Sequence, residues 1–188
     1  MVTAPHVQKG LYFIAIIPPQ EISTEIQRIK ETIYEKYNSK ASLNAPPHIT
    51  LHMPFDWKLH KQELLIQKLD LFSTSIERFE IQLSGFNCFE PRVIYVGVAE
   101  NEILENMQQD LFRFCKKDLN LFNAHYKQLP FHPHITLAFR DLKKPMFYKA
   151  WQEFENKTYS SRFILESIVL LKHNGKQWEV LKEFGIGV

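Results

Sequence analysis

The sequence has few of the features that tie a protein to disulfide bonds, zinc ribbons or bulk nucleic acid. It contains only two cysteines, Cys88 and Cys115, which show neither CxxC nor zinc-ribbon spacing. Isolated cysteines of this kind suit a reducing cytosol, where they pack as small hydrophobic side chains. The net charge is only +2 at pH 7, so the chain lacks the basic surplus that supports nonspecific binding to nucleic acid. An anionic ligand would have to be held by local contacts.

Long apolar runs and processing signals are also missing. The longest apolar stretch, FIAIIPP, fits a buried strand that meets a turn and is too short to span a membrane. The opening segment, MVTAPHVQKG, lacks the charged-then-apolar order of a signal peptide. No linker, low-complexity run or charge block divides the chain. We therefore expect a cytoplasmic protein without a membrane partner, in which residues 1–188 form a single domain.

The hydrophobic pattern predicts strands that alternate with helices. Apolar residues at helical spacing indicate helices at residues 21–37, 59–72, 101–119 and 144–154, with Asn101 as an N-cap. β-Rich runs indicate strands at 11–17, 48–53, 79–86, 93–98 and 131–139, followed by a hairpin of 161–172 with 177–183 around Asn174-Gly175. Because the late strands form a hairpin, this order favours an α+β fold with antiparallel sheets over a doubly wound parallel sheet.

One pentapeptide, Pro-His-Ile-Thr-Leu, occurs twice in the chain. Chance gives such a repeat in about one chain per hundred of this length. Side chains alternate between the two faces of a strand, so His48 shares a face with Thr50 in the first copy. His134 and Thr136 share a face in the same way in the second copy. Each copy would bury its aliphatic residues and present an imidazole and a hydroxyl on the opposite side.

The surroundings of the two copies are repeated as well. The strand at 11–17 and the helix at 21–37 precede the first copy, and the strand at 93–98 and the helix at 101–119 precede the second. This duplication predicts two pseudo-equivalent lobes. The lobes would face each other across a cleft, with a histidine and a threonine from each wall.

Two histidines and two threonines at one site can cleave a phosphodiester by acid–base chemistry. Histidine titrates near pH 6.5, so one imidazole can be neutral at neutral pH while its partner is protonated. The neutral imidazole would take a proton from an attacking water, and the charged one would donate a proton to the departing sugar oxygen. The threonine hydroxyls would donate hydrogen bonds to the non-bridging phosphate oxygens. This chemistry requires no metal.

The paired PHITL segments resemble the His-x-Thr-x motifs of the 2H phosphoesterase superfamily, in particular its bacterial 2′-5′ RNA ligase and cyclic phosphodiesterase branch. LYFIAIIPP is similar to that branch's opening strand and GFNCFEPRVIYVGV to its central strand pair, so the resemblance covers nearly the whole chain. It implies a bilobal, pseudo-twofold fold of two antiparallel β-sheets backed by helices, with a central cleft.

The resemblance also implies an activity and the residues that carry it out. The family's catalytic pair falls on His48 and His134, and its phosphate-binding hydroxyls fall on Thr50 and Thr136. The implied substrates are 2′,3′-cyclic phosphates or 2′-5′ linkages of RNA ends or nucleotides. We expect cleavage without a metal or another cofactor, and 2′-5′ ligation as the reverse reaction.

Other candidate substrate contacts surround the two motifs. Many members of the family carry Lys or Arg two residues beyond the first threonine, where this chain has His52. His52 should share the face of the motif histidine, either as a phosphate contact or as a neutral residue at a strand end. Arg140 supplies the basic residue after the second motif, and His132 is a candidate at the lip of the cleft. Three aromatic residues could stack on a base or pack in the core: Phe13, Phe89 and Tyr95.

Two other functions stay open at this point. Four histidines could form a zinc site, although the repeat pairs each histidine with threonine and not with a carboxylate: His48, His52, His132 and His134. Alternatively, the cleft could bind a nucleotide or an RNA end without turning it over. The direction of the reaction and the choice of acid and base also stay open. We expect a monomer whose partners are RNA ends or cyclic nucleotides, and we expect the remaining histidines to be solvated: His6, His60, His125 and His173.

Overall fold

The computed structural model describes residues 8–122 and 130–187, and these contain eight β-strands and four α-helices. The strands are β1 (Lys9–Ile16), β2 (Ile49–Lys58), β3 (Glu80–Phe89), β4 (Val93–Val98), β5 (His134–Ala138), β6 (Ser160–Ile164), β7 (Ser167–His173) and β8 (Trp178–Gly185). The helices are α1 (Gln20–Tyr37), α2 (Gln62–Ser73), α3 (Glu102–Asp118) and α4 (Lys144–Phe154). Short 3₁₀ turns precede β2 and α2, at Ala41–Asn44 and Leu59–Lys61.

The strands pair in the order β6-β3-β4-β5-β2-β1-β7-β8, and each of these pairings is antiparallel. The predicted α+β class with antiparallel strands is confirmed. Two separate sheets are predicted from the family resemblance, whereas hydrogen bonding joins two four-stranded halves into one eight-stranded sheet. The join is narrow, because β2 and β5 share the register pair Ile49–Ile135 while β1 and β2 are paired along most of β1.

The two halves of the sheet repeat one arrangement. The unit β1–α1–β2 in one half has the same order as β4–α3–β5 in the other, and β2 and β5 meet at the centre of the sheet. The second unit begins its helix at the predicted N-cap, where the Asn101 side chain accepts a hydrogen bond from the Leu104 amide at 3.0 Å. The assignment of residues 1–188 to one bilobal domain stays a prediction.

The helices pack against one face of the sheet and leave the other face to the cleft. Along β1, the side chains of Tyr12, Ile14 and Ile16 belong to the main core, which contains buried residues of all four helices. The alternate residues Phe13 and Ala15 form a small separate cluster with buried residues of β7. Within the described residues, no helix is both long enough and apolar enough to cross a membrane.

The late part of the chain differs from the predicted hairpin. The prediction of one continuous strand at 161–172 is wrong, because residues 165 and 166 separate this segment into β6 and β7. β6 pairs with β3 in one half of the sheet, and β7 pairs with β1 in the other. The chain therefore crosses between the halves at this point. The hairpin of β7 with β8 around Asn174-Gly175 is present.

Candidate active site

The two PHITL segments are neighbours at the centre of the sheet. Ile49 of β2 is the register partner of Ile135 of β5. Continuing this antiparallel register places each motif histidine opposite the threonine of the other copy. Since alternate residues share a face, four side chains converge on the face away from the helices: His48, Thr50, His134 and Thr136.

Two cavities flank this pair of strands. The first cavity, of about 370 Å³, lies towards β1, β7 and β8, and its lining includes His48, Thr50, Thr136 and Arg140. The second cavity, of about 490 Å³, lies towards the end of β3 and the segment that precedes β5. It is lined by Thr50, Leu51, Phe89, Pro130, Phe131, His132 and His134. Thr50 lines both cavities, so the two cavities adjoin at the motif strands.

His48 is held in one tautomer by the backbone that precedes it. Its Nδ1 lies 2.7 Å from the carbonyl oxygen of Pro46. Because a carbonyl oxygen only accepts hydrogen bonds, Nδ1 carries the proton and Nε2 is unprotonated in the neutral ring. Burial lowers the pKa of His48 to about 4, and positive charge on Lys30 and His134 acts in the same direction. At neutral pH, the His48 imidazole is therefore uncharged.

His134 repeats this arrangement in the second copy. Its Nδ1 lies 2.7 Å from the carbonyl oxygen of His132, two residues earlier, as in the first copy. A proline stands between the carbonyl and the histidine in both copies, and its ring fixes φ near about −65°, which keeps the segment extended. Burial lowers the pKa of His134, and the His132 imidazole lowers it further.

Two cationic side chains line the first cavity. Lys30 of α1 is 2% exposed, and its Nζ donates a hydrogen bond to the Ala45 carbonyl oxygen at 2.9 Å. Burial lowers the pKa of Lys30 to about 8, so the side chain is still mostly protonated at neutral pH. Arg140 is exposed, and its guanidinium stacks 4.9 Å from the centre of the Phe139 ring. No carboxylate occurs among the described residues that line either cavity, so the cleft favours an anion.

Hydrogen bonds tie the segment before β2 to the end of β5. The Asp141 carboxylate accepts hydrogen bonds from the Ser39 hydroxyl at 2.8 Å and the Lys40 amide at 2.9 Å. The Ser42 hydroxyl donates to the Leu137 carbonyl oxygen at 2.6 Å. The loop that delivers the first motif is therefore anchored directly to the strand that carries the second, which fixes the two walls relative to each other.

His52 lies in the core, so the prediction that it shares the face of the motif histidine is wrong. Ile14 of β1 pairs with His52. The next residue along β1, Ala15, pairs with Thr50, so one residue of β2 is skipped. Such a bulge reverses the alternation of side chains beyond Thr50. His52 is consequently only 4% exposed, and its ring packs edge-on against Phe55.

Phe13 and His132 lie on opposite walls of the cleft. Phe13 is 3% exposed and lines the first cavity, where its ring centre is 4.8 Å from that of His48 and 4.6 Å from that of Trp178. Phe13 is thus packed against its neighbours and also forms part of the cavity wall. His132 is exposed in the second cavity, and its Nε2 lies 2.9 Å from the Tyr95 hydroxyl oxygen.

The sequence did not predict several lining residues of the first cavity, among them Lys30, His173 and Trp178. The signal for Lys30 was available, because it lies four residues after Ile26 and three before Ile33 and so falls on the buried stripe of α1. His173 is half-buried against Trp178, with 5.0 Å between ring centres, and not simply solvated. Its position depends on how β7 and β8 pair, which no local pattern indicates.

The four histidines of the zinc alternative do not converge, because His52 points into the core. Within residues 8–122 and 130–187, no group of three or more His, Cys, Asp or Glu side chains is arranged to hold a metal ion. Two of the histidines expected to be solvated, His6 and His125, lie outside the described residues.

A protein-family model of the 2′-5′ RNA ligase superfamily matches residues 18–177. The chain belongs to this superfamily. The resemblance to 2H phosphoesterases is therefore confirmed. One relative of this superfamily member is a protein of Geobacillus kaustophilus (strain HTA426) named "Putative phosphoesterase GK0864". It is 27% identical over 180 residues, which cover 94% of this chain and 96% of the relative.

Two solved structures share the fold of this superfamily member. TT0787 of Thermus thermophilus superposes with a TM-score of 0.66 at 18% identity, over 94% of this chain and 97% of that one. E. coli LigT complexed with 3′-AMP gives a TM-score of 0.66 at 19% identity, over 95% of this chain and 99% of that one. At these identities the likeness concerns the fold alone.

Proposed function

We propose that the protein is a metal-independent phosphoesterase that cleaves 2′,3′-cyclic phosphates or 2′-5′ phosphodiesters of RNA ends or nucleotides. The observation that carries this proposal is that His48 and His134 lie on adjacent strands, β2 and β5, and line two cavities that share Thr50. Membership of the 2′-5′ RNA ligase superfamily supports it, as does the complex of the structural neighbour LigT with 3′-AMP.

In the proposed hydrolysis of a 2′,3′-cyclic phosphate, His48 is the base. Its unprotonated Nε2 takes a proton from water as the water oxygen attacks phosphorus. The bond from phosphorus to one ribose oxygen breaks, and His134 donates a proton to that oxygen. The product is a phosphate monoester on one hydroxyl of the ribose. Before the next turnover, His48 releases to solvent the proton that it took from water, and His134 regains a proton.

The assignment of acid and base rests on the surroundings of the two rings. The low pKa of His48, about 4, keeps it neutral and ready to accept a proton. His134 has to be protonated to act as the acid, although burial lowers its pKa in the free protein. A bound phosphate anion would raise the pKa of His134, because a negative charge nearby stabilises the imidazolium.

The remaining groups of the cleft stabilise the charge that develops on the phosphate. In the proposed reaction, the hydroxyls of Thr50 and Thr136 donate hydrogen bonds to the non-bridging oxygens. The pairing of their strands and the lining of the first cavity by both threonines support this role. Lys30 and Arg140 add positive charge in the first cavity. A sugar hydroxyl in place of water would give the reverse reaction, the formation of a 2′-5′ linkage. A monomeric, cytoplasmic enzyme stays a prediction.

The experiment that tests this proposal is an incubation of the purified protein with each 2′,3′-cyclic nucleotide and with an oligonucleotide that ends in a cyclic phosphate, in the presence of EDTA. The position of the phosphate in the product is then read by NMR or by comparison with 2′- and 3′-phosphate standards. We expect a single regioisomer, because the leaving oxygen has to lie beside His134. The matched control is the double variant His48→Ala with His134→Ala.

Three results would contradict the proposal. Activity that EDTA abolishes and zinc restores would point to a metal hydrolase. Tight nucleotide binding without turnover of any cyclic phosphate or 2′-5′ phosphodiester would point to a binding module. Full activity of the double variant would show that the two histidines take no part in the reaction.

A further inference from the structure

A third cavity lies apart from the two cavities of the candidate active site. Its volume is about 480 Å³, and it shares no lining residue with either of them. It lies where α1 begins, where the chain crosses from β6 to β7, and along β8. Its volume falls in the range of ligand sites, which is roughly 300–1,000 Å³. The cavity is therefore large enough to hold a ligand of its own.

The third cavity combines buried and exposed aliphatic side chains. Val169 is 3% exposed and belongs to the small cluster on the face away from the helices, and Ile17 packs against that cluster. Ile164 of β6 is 47% exposed, and Val180 of β8 is 46% exposed. Single exposed aliphatic side chains are normal on a protein surface, whereas several that line one concavity with polar neighbours mark an interaction site.

A bulge in β8 brings an aliphatic and an acidic side chain to the same face of the sheet. Val180 pairs with Leu171, and Glu183 pairs with Val169. Residues three apart in a regular strand point to opposite faces, but the bulge between these pairs reverses the alternation. Leu171 and Val169 belong to the same small cluster, and paired residues share a face. Val180 and Glu183 are therefore presented together to the third cavity.

The charge of the third cavity is opposite to that of the candidate active site. Glu166 and Glu183 line it, and no Lys, Arg or His occurs among the described residues that do so. Glu183 accepts a hydrogen bond from the Ser167 hydroxyl. Glu166 lies 3.9 Å from Arg78, but both side chains are exposed and such ion pairs contribute little. The first two cavities have no carboxylate among their described lining residues. The third cavity thus favours a cationic ligand.

The position of β8 in the sheet favours a peptide over a small amine. β8 is an outer strand, and within the described part of the chain it pairs only with β7. The backbone N–H and C=O groups along its free edge can pair with an extended chain. A small amine would bind the carboxylates but would leave this edge, Ile164 and Val180 uncovered.

We infer that the third cavity is a docking site for an extended peptide segment of another protein that carries lysine or arginine with an aliphatic residue two positions away. This spacing places both side chains on one face of the segment. The cation binds at Glu166 and Glu183, and the aliphatic side chains cover Ile164 and Val180. This partner is separate from the anionic substrate of the proposed function, and the inference does not rest on that function.

The test is a selection of displayed random heptapeptides on the parent protein, from which peptides that also bind the Val180→Asp variant are discarded. We expect the enriched peptides to contain lysine or arginine with an aliphatic residue two positions away. A synthetic copy of the most enriched peptide is then titrated against variants that played no part in the selection. Ile164→Asp and Glu183→Lys should each weaken its binding by roughly 10-fold or more. Glu183→Gln, which keeps the size of the side chain, should weaken it in the same direction.

Two matched controls lie outside the third cavity. Leu71→Asp changes an aliphatic side chain on α2 that is 69% exposed, and Glu35→Lys reverses an exposed charge on α1. Both controls should bind the synthetic peptide as the parent protein does. Circular dichroism verifies that each variant is folded.

Four results would overturn the inference. The selection could enrich no peptide, or it could enrich peptides without lysine or arginine. Unchanged affinity in the folded Ile164→Asp and Glu183→Lys variants would place peptide binding elsewhere. A dimer of the parent protein in sedimentation that Val180→Asp dissociates would show that a second copy of the chain occupies the cavity. Cleavage of cyclic nucleotides is assayed separately, so failure of the proposed function would leave the peptide result unchanged.

Discussion

Ile49 of the first motif lies directly across the sheet from Ile135 of the second, and this pair forms the join between the two halves of the sheet. Both side chains are fully buried and aliphatic, so neither carries out chemistry. Their register nevertheless decides the geometry of the cleft, because it sets each histidine against the threonine of the other copy. A shift of one residue would turn the motif side chains of one strand to the opposite face.

The first prediction concerns the two histidines. His48→Ala and His134→Ala should each reduce kcat on a 2′,3′-cyclic nucleotide by roughly 10²-fold or more, because each removes one proton transfer. The double variant should lose far less than the product of the two single losses, since both groups act in one step. His60→Ala removes an exposed histidine outside the cleft and serves as the control. Near-normal turnover of both single variants would show that the repeated motif is not the catalytic pair.

The second prediction concerns pH. Burial lowers the pKa of His48 to about 4. A base works only when it is unprotonated, so kcat/KM should fall on the acid side as pH drops through this value. The Lys30 ammonium helps to lower this pKa, so Lys30→Met should raise it and move the acid limb to higher pH. The measurement is a pH profile of kcat/KM together with an NMR titration of the imidazole.

The control for this pH shift is Lys36→Met on the same helix, where the lysine pairs with Glu153 at the surface. Lys36→Met should leave the acid limb in place. An unchanged limb in the Lys30→Met variant, with the protein still folded by circular dichroism, would show that Lys30 does not influence His48.

The same pKa predicts how stability depends on pH. The folded-state pKa of His48 lies below its ordinary value of 6.5, so the unfolded chain binds the proton more readily. The neutral His48 therefore contributes to the free energy of unfolding. This contribution is fully present above about pH 6.5 and is lost as pH falls through about 4. A His48→Gln variant should show a shallower decline over this window in urea unfolding. If the free energy of unfolding of this variant declines as steeply as that of the parent protein, groups other than His48 cause the pH dependence.

The third prediction concerns the hydroxyls. Thr50→Val and Thr136→Val should each cost on the order of 1.5–3 kcal/mol in transition-state binding, because each removes one hydrogen bond to an anionic oxygen. The shape of the side chain is preserved, so the melting temperature should change little. Thr32→Val is the matched control, since that hydroxyl donates to a backbone carbonyl on α1. If transition-state binding weakens no more in these variants than in the control, the two hydroxyls do not contact the phosphate.

The fourth prediction separates His52 from the phosphate. Its Nε2 is buried and has no hydrogen-bond partner within the described part of the chain, while its Nδ1 lies 2.9 Å from the Met53 carbonyl oxygen. His52→Leu exchanges one lost hydrogen bond for the removal of a buried unpaired nitrogen, so stability should change by about 1 kcal/mol or less. Catalysis should be unaffected. A large rise in KM at unchanged stability would show that His52 contacts the substrate.

The repeated pentapeptide was enough to predict the centre of the structure. Alternation along a strand places His48 with Thr50, and the duplication of strand, helix and motif predicts that the two copies belong to equivalent halves. Both inferences depend on short-range rules, since strand alternation and helical spacing act over a few residues. The α+β class follows from the same rules, because the order of elements limits how their apolar faces can be covered.

What the sequence could not predict depends on contacts between distant segments. The bulge that buries His52 arises from the pairing of β2 with β1, and alternation alone predicts the opposite face. The division at residues 165 and 166 occurs where the chain changes its partner strand, while the local pattern stays β-rich on both sides. Trp178 and His173 reach the first cavity only because β7 pairs with β1.

The exchange of strands between the two halves also determines the order in which the walls of the cleft can form on the ribosome. The half that carries His134 consists of β3 to β6, which are consecutive in the chain. The half that carries His48 needs β7 and β8 beside β1, and the ribosome makes these two strands after all the others. Until they emerge, one edge of β1 has no partner strand, and Phe13 lacks its packing against side chains of β7 and against Trp178 of β8. A nascent chain that ends after β6 should therefore contain a formed His134 wall and an incomplete His48 wall, so phosphoesterase activity would be among the last properties that synthesis confers.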